Sequence, residues 1–394
     1  MLNTYNNFSS SSTDLLVPAT TVTVPANFLG FHFNRYPDAS SAYAITSPAP
    51  TVQYNTVRSH DGIGMQWRKA NPTQGVYDWS DHDKFFNHHF GLGKEIVYTL
   101  YGTPTWAAGT TDATFNDLYN YKGGAGAPTN MQHVVDFINA LLTRYAGKIK
   151  HFEIWNEPTF TGSRTGTFWW GTLQEMLTLA KTVYDTVKAK DSTIKVWSPG
   201  FTAGKYVRPT ETTAYQFLSA THAASSKKGH ELCDVYSVHP YTMLATNTAN
   251  SRGTFNEAIN LRFNPWVAFN QLNSLLGTSK DMVISEWGIS PGPVATEATS
   301  LAFNALQKSE QAVLVWRTLA LAAIQGYKSF YVYGYDSGHA GNFCTYDTRE
   351  INQDLVDIVN EFNTTIPGKT ITAAKVFSDG RIYIKLSTGL EITK

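Results

Sequence analysis

Charge is scarce in this chain. Asp, Glu, Lys and Arg supply 16% of its 394 residues, against about a quarter in an ordinary soluble domain. What charge there is cancels, with 31 basic and 31 acidic residues. Such a balance gives no field to gather nucleic acid or an anionic membrane surface. No apolar stretch is long enough to read as a transmembrane span. Cysteine is limited to Cys233 and Cys344. Cys233 lies in an apolar run and reads as a small buried hydrophobe. A Cys233–Cys344 disulfide and two reduced thiols both fit the sequence, so the redox compartment stays open. The opening MLNTYNNFSSSSTDLL lacks the basic start and apolar run of a signal peptide. Removal of a signal before Met1, which would favour secretion or the cell envelope, is one reading; export by another route and retention inside are the others. There is no Gly-x-Ser-x-Gly, no phosphate loop and no His-Glu-x-x-His. No repeat of domain-building length stands out.

Aromatic residues, by contrast, reach 13%, with 10 Trp and 21 Tyr. A surface poor in charge and rich in Trp and Tyr suits neutral, hydroxyl-rich ligands, because sugar C–H faces pack on aromatic rings. The same residues also suit the ordinary core of a large barrel.

Eight short apolar runs recur along the chain. They are NFLGFHFN (27–34), NTVRSH (55–60), EIVYTLYG (95–102), KHFEIWNE (150–157), IKVWSPGF (194–201), CDVYSVHPY (233–241), DMVISEWG (281–288) and KSFYVYGYD (328–336). Helical spacing of apolar residues predicts helices over 131–147, 168–191 and 310–326. Strands alternating with helices predict an α/β fold, a (β/α)8 TIM barrel. A doubly wound sheet is the alternative. It would carry a Gly-rich turn after its first strand, where this chain has Arg35-Tyr36-Pro37. The tail changes character. Ser378-Asp379-Gly380 between alternating runs predicts a hairpin, and the run 20–27 is a candidate to join it. The expected organisation is a flexible tail over 1–19, a catalytic barrel over 20–365 and a small C-terminal β-appendage over 366–394.

Active sites of such barrels lie at the C-terminal ends of the strands. The fourth run ends in Asn156-Glu157, where Pro158 cannot continue a ladder. The seventh ends in Glu286-Trp287. Alternation places His151, Glu153, Trp155 and Glu157 on one face, and Met282, Ile284 and Glu286 on one face. Glu157 and Glu286 then oppose each other across the barrel mouth. Two opposed carboxylates suit glycosidic bond cleavage, one protonating the leaving oxygen and one stabilising or attacking the anomeric carbon. Each Glu taken alone also fits a strand-end salt bridge. Asn156 offers a hydrogen bond to a sugar hydroxyl. Arg58 suits an anionic nucleophile, and His60 shares its face. His239 and Tyr241 fit hydrogen bonds to either carboxylate. Trp106, Trp287 and Tyr335 are candidate walls of a sugar subsite, and each fits plain packing as well. His32, His60 and His239 could gather on a metal, but no close His-x-His pair supports this, and neither a metal nor a cofactor is expected.

IWNEP after the fourth strand and ISEW at the seventh resemble the clan A glycoside hydrolases over about residues 27 to 340. VRSH (57–60), GVYDWSDHDKFF (75–86) and SVHPY (237–241) are most similar to family 39. The resemblance implies a retaining enzyme on a (β/α)8 barrel acting on a polysaccharide or oligosaccharide. It implies Glu157 as acid/base and Glu286 as nucleophile. It implies Asn156 as the contact to the sugar 2-hydroxyl, Arg58 and Tyr241 as supports of the nucleophile, and His239 as a polar site residue. The short appendage departs from the β-domain of family 39 xylosidases and points away from exo-xylosidase action. The expected activity is therefore endo-acting hydrolysis. An exo-acting β-xylosidase-like enzyme and a non-catalytic carbohydrate-binding barrel are the alternatives.

Overall fold

The structure is a computed structural model that describes residues 14–16, 21–34, 36, 50–60, 62, 64–109, 121–160, 168–202, 209–240, 269–288, 308–336, 352–377 and 381–394. Two short strands, β1 (Asp14–Leu16) and β2 (Val22–Thr23), come first. Then follow β3 (Leu29–His32), β4 (Thr56–Arg58), β5 (Glu95–Thr99), β6 (Ile149–Glu153) and β7 (Lys195–Trp197). After these come β8 (Phe201–Thr202), β9 (Val235–His239), β10 (Asp281–Trp287) and β11 (Phe330–Val332). The last are β12 (Thr370–Phe377), β13 (Ile382–Leu386) and β14 (Glu391–Thr393).

Each of the eight apolar runs holds one barrel strand. β3 to β7 pair in parallel in chain order, β7 pairs β9, β9 pairs β10, β10 pairs β11, and β11 pairs β3. The last pairing closes a (β/α)8 barrel. Short β8 lies beside the upper part of β9. Nearly every barrel strand residue is buried. That burial on both faces explains why the runs read as continuously apolar rather than alternating.

Helices cover the outside. α1 (Trp67–Ala70), α2 (Ser80–Gly91) and α3 (Thr105–Ala108) precede α4 (Met131–Arg144) and α5 (Leu173–Lys190). α6 (Thr213–Ser219), α7 (Leu272–Leu276), α8 (Lys308–Ile324) and α9 (Gln353–Thr365) follow. The helix expected from residue 168 starts five residues later. Thr172 and Glu175 form a reciprocal capping box there and fix the first turn. Asn130 caps α4 by accepting from the Gln132 N–H at 2.9 Å. No helix among the described residues is long and apolar enough to cross a membrane.

A second, antiparallel sheet lies outside the barrel and joins its outer core through Ile371, Ile382 and Ile384. β12 pairs with β13, and β13 with β14. Val22–Thr23 joins it through Ile371 and Thr370, as the run 20–27 suggested. Asp14–Leu16, inside the expected tail 1–19, also forms a strand of it, with Asp14 opposite Phe377. The hairpin turn expected at 378–380 lies outside the described residues, as does Cys344. Cys233 is fully buried.

The barrel interior has two layers. The lower one is apolar: Val97, Trp197, Val235, Val283 and Tyr331 pack together. Gly30 makes room for it, since a Cβ there would come 2.4 Å from the Tyr331 ring. The layer above, nearer the C-terminal strand ends, is polar.

Candidate active site

Glu153 closes β6 and is fully buried. Beyond it the chain runs irregularly. Asn156 makes one parallel bridge to Gly200. Glu157 adopts φ +42°, a left-handed conformation that costs a non-glycine residue about 1–3 kcal/mol. Its N–H donates to the Gly200 carbonyl at 2.8 Å, and the Gly200 N–H donates to the Trp155 carbonyl at 2.9 Å. These bonds hold the turn open toward the barrel mouth. The alternation expected for His151, Glu153, Trp155 and Glu157 therefore breaks after Glu153. Trp155 turns into the outer core, with its indole N–H on the Phe168 carbonyl and its ring 5.3 Å from Trp169.

The face expected for β10 is also corrected. Val283 and Ser285, not Met282 and Ile284, point into the barrel; Ile284 belongs to the outer core. The register against β11 shifts between Ile284 and Trp287. Such an irregularity re-aims the next side chain, and Glu286 reaches the site next to Ser285.

Arg58 is the hub. Its Nε donates to Glu153 Oε2 at 2.7 Å, Nη1 to Glu286 Oε2 at 2.8 Å and Nη2 to Asn156 Oδ1 at 2.7 Å. Burial opposes its charge, but the Glu153 and Glu286 carboxylates together push its pKa above the ordinary value. Thr99 adds a hydroxyl bond to Glu153 Oε2 at 2.8 Å. With Oδ1 of Asn156 taken by Arg58, its amide N–H2 group is the part left to donate elsewhere.

His239 joins the two carboxylates. Its Nδ1 lies 2.7 Å from Glu157 Oε1 and 4.0 Å from Glu286 Oε2. Burial is the main cause that lowers its pKa to about 4. Gly200 permits its position, because a Cβ there would fall 2.4 Å from His239 Nε2. His32 and His60 are buried beside it, and burial first, then the Arg58 charge, hold both well below the usual histidine range. His32 Nε2 sits 2.8 Å from the Ser285 carbonyl. His60 packs its ring 4.4 Å from Tyr101.

The three expected aromatic walls fare differently. Trp106 donates its indole N–H to the Asn71 carbonyl and packs edge-on to Trp67. Trp287 is buried in the outer core against Phe330. Tyr335 is fully buried against Phe31 and Phe33. None of the three joins the Arg58 network among the described contacts. Tyr241 lies outside the described residues. A residue not singled out from sequence does approach the site. Tyr333 is half-buried and sets its ring 5.2 Å from His32. Its spacing of two from inward-facing Tyr331 was the available signal.

Glu157, His239 and Glu286 each offer a ligand atom, all within 4.8 Å of one another. The 2.7 Å contact between His239 and Glu157 is a hydrogen-bond length. Two ligands sharing one tetrahedral zinc ion would stand about 3.4 Å apart. The donor set as placed fits proton exchange between the residues better than a shared ion.

No protein-family model matches the sequence, and no curated protein matches it. Solved structures do match. A glucosidase from Croceicoccus marinus is 13% identical, with 95% of this chain and 74% of that one covered and a TM-score of 0.56. A family 39 glycoside hydrolase from the gut symbiont Bacteroides cellulosilyticus is 15% identical, covering 93% and 69% at a TM-score of 0.61. A xylanase from Paenibacillus barcinonensis is 11% identical, covering 90% and 100% at 0.51. At these identities the likeness is one of fold, and the fold shared is the (β/α)8 barrel.

Proposed function

We propose that the chain is a retaining β-glycosidase that cleaves a polysaccharide by double displacement, with Glu157 as acid/base and Glu286 as nucleophile. The carrying observation is the pair: their carboxylates approach within 4.8 Å at the ends of the fourth and seventh barrel strands. Retaining enzymes hold two carboxyl groups about 5–5.5 Å apart, and inverting enzymes leave about 6.5–9.5 Å for a water. The two environments differ in the sense the chemistry needs. Glu286 is nearly buried and bonded to a charged arginine, which favours its anion. Glu157 is more exposed and faces an imidazole.

In the first step Glu157 gives its proton to the glycosidic oxygen as the C–O bond breaks. Glu286 forms the new bond to the anomeric carbon. In the second, water attacks that carbon, passes its proton to Glu157 and releases Glu286. The Asn156 amide, next to Glu157 in the chain, is the donor assigned to the 2-hydroxyl, and Tyr333 is the ring assigned to the sugar face. The shared barrel of the glucosidase, the family 39 enzyme and the xylanase supports a clan A assignment, most like family 39. The test is a panel of purified polysaccharides assayed for new reducing ends. Release of a ladder of oligosaccharides is expected, and lost in Glu286→Ala. Monosaccharide alone would mean exo action. Polysaccharide binding with no new reducing ends would mean a carbohydrate-binding barrel.

A further inference from the structure

Glu153 is a further carboxylate beneath the site, and the double displacement gives it no step. Its side chain is fully enclosed, out of reach of any sugar atom. Arg58 of β4 brings Nε to 2.7 Å and Nη2 to 2.5 Å of its Oε2. The Thr99 hydroxyl of β5 donates to the same oxygen at 2.8 Å, and Ser237 of β9 places its hydroxyl 2.6 Å from Oε1. Gly200 packs close as well, since a Cβ there would come 3.0 Å from Oε1. Whatever Glu153 does to the reaction it does through a neighbour. That neighbour is Arg58, whose Nη1 donates to Glu286 at 2.8 Å. Of the two carboxylates, Glu153 contributes more to holding the arginine charge. A guanidinium with no second anion would turn its full charge on Glu286. That would favour the Glu286 anion, but nucleophilicity falls with basicity. With Glu153 in contact, the Arg58–Glu153 pair is close to neutral as seen from Glu286.

We propose that Glu153 is a positioning residue that locks the Arg58 guanidinium in place and offsets its charge, so that Glu286 is aimed by a hydrogen bond and keeps its strength as a nucleophile. This rests on the reading of Glu286 as nucleophile. The groups around Glu286 are consistent with that division. From β9, His239 Nδ1 stands 4.0 Å from its Oε2. From the end of β6, Glu157 offers an oxygen within 4.8 Å. His32 of β3 lies behind, 3.4 Å from Arg58 Nη1, with the Tyr333 ring from beyond β11 set against it. His60 follows Arg58 and packs on Tyr101. Burial is the first cause that lowers His32, His60 and His239, so these rings are uncharged near neutral pH. Arg58 is the cation that Glu286 touches, and Glu153 is the anion that answers it from the core side.

Charge and shape are separable at Glu153. In Glu153→Gln the amide oxygen can face Arg58 and Thr99 while the amide N–H2 faces Ser237, so the hydrogen bonds survive and the negative charge goes. The readout is the acid limb of the kcat/KM profile, which reports ionisation of the free enzyme. The substrate is an aryl glycoside with an acidic phenol, whose departure needs no proton from Glu157. Removing an anion near Glu286 favours the Glu286 anion, so the limb should move to lower pH by about one unit. The plateau should fall too, because a less basic Glu286 attacks more slowly. Glu153→Asp keeps the charge, and its limb should stay at the wild-type pH even where its plateau drops. A lower plateau with an unmoved limb in Glu153→Gln would make Glu153 a packing residue only and overturn the proposal. A limb that rises in Glu153→Gln, or one that moves as far in Glu153→Asp, would overturn it as well. If Glu153→Gln does not fold, Thr99→Val decides in its place. It removes a hydroxyl that draws on the Glu153 charge, so the limb should move to higher pH, and an unmoved limb overturns the proposal. A wild type that cleaves no glycoside would instead overturn the functional reading. The charge offset is then read by carboxyl ¹³C titration of the full-length protein labelled at glutamate, with Glu286 assigned by its loss in Glu286→Gln. Its midpoint should fall in Glu153→Gln, and an unmoved midpoint overturns the offset.

Discussion

Arg58 donates through Nη1 to Oε2 of Glu286 across 2.8 Å, and the same guanidinium binds the buried Glu153 carboxylate on its other side. One cation thus serves two anions, one in the barrel core and one facing the mouth.

Arg58→Met keeps most of the side-chain length and removes the charge. Both carboxylates then lose their partner, and Glu153 has no route to water. Breaking a buried pair from one side costs about 3–5 kcal/mol. Denaturant unfolding should show a loss of that size. At temperatures where the variant is folded, kcat should fall by about 10²-fold or more, because Glu286 loses its aim. A variant with wild-type midpoint and turnover would mean that Arg58 holds neither group.

Glu286→Ala should abolish turnover. Azide then fits the space of the missing carboxylate and attacks the anomeric carbon directly, giving a glycosyl azide of inverted configuration. Product analysis by NMR checks this. Near-normal hydrolysis in the variant would assign the nucleophile elsewhere.

Buried histidines, His32 and His60 among them, should make the fold acid-sensitive. Burial is the first cause that lowers His82 and His89 to about 3 and His239 to about 4. In the unfolded chain they titrate near 6.5. Below that value the unfolded state takes up protons that the folded state refuses, so stability is lost as pH falls from about 6.5 toward 4. Each pH unit well inside that window costs about 1.4 kcal/mol per group. Thermal melts from pH 8 to pH 4 should show a falling Tm, and His82→Phe, which keeps the ring packing with Phe86 and Tyr145, should flatten the fall. A Tm that does not change between pH 7 and pH 4.5 would contradict it.

The barrel was legible because its strands are buried on both faces and appear as eight separate apolar runs. Glu157 and Glu286 were legible as strand-end carboxylates, with Pro158 marking one end. Their faces were not. A strict period of two would send Glu286 and Ser285 to opposite sides, and both point inward because the register shifts beside them. Glu157 reaches the mouth through a left-handed residue, which no alternation pattern announces. Parity misleads at the aromatics too: Tyr331, Tyr333 and Tyr335 share it, but Tyr335 is drawn under Phe31 and Phe33. The contacts of Ser237 and Ser285 with Glu153 and His239 were invisible, since two serines on different strands carry no spacing signal.

The sharpest division of labour is between Glu157 and Glu153, four residues apart. An acid is needed only where the departing oxygen is a poor leaving group. Glu157→Gln preserves shape, but it has no proton to give. It should lose about 10²- to 10⁴-fold on a polysaccharide, whose leaving group is an alcohol. On an aryl glycoside with an acidic phenol the first step should survive far better, and glycosyl-enzyme should accumulate on Glu286 because the second step lacks its base. Mass spectrometry of the intact protein would detect that adduct. Glu153→Gln removes one of the two counter-charges of Arg58 and the carboxylate that accepts from Ser237, away from the leaving oxygen. It should destabilise the fold and lower activity on both substrates alike. The deciding quantity is the ratio of the two activities for each variant. Equal losses on both substrates in Glu157→Gln, or a leaving-group effect that follows Glu153 instead, would reverse the assignment.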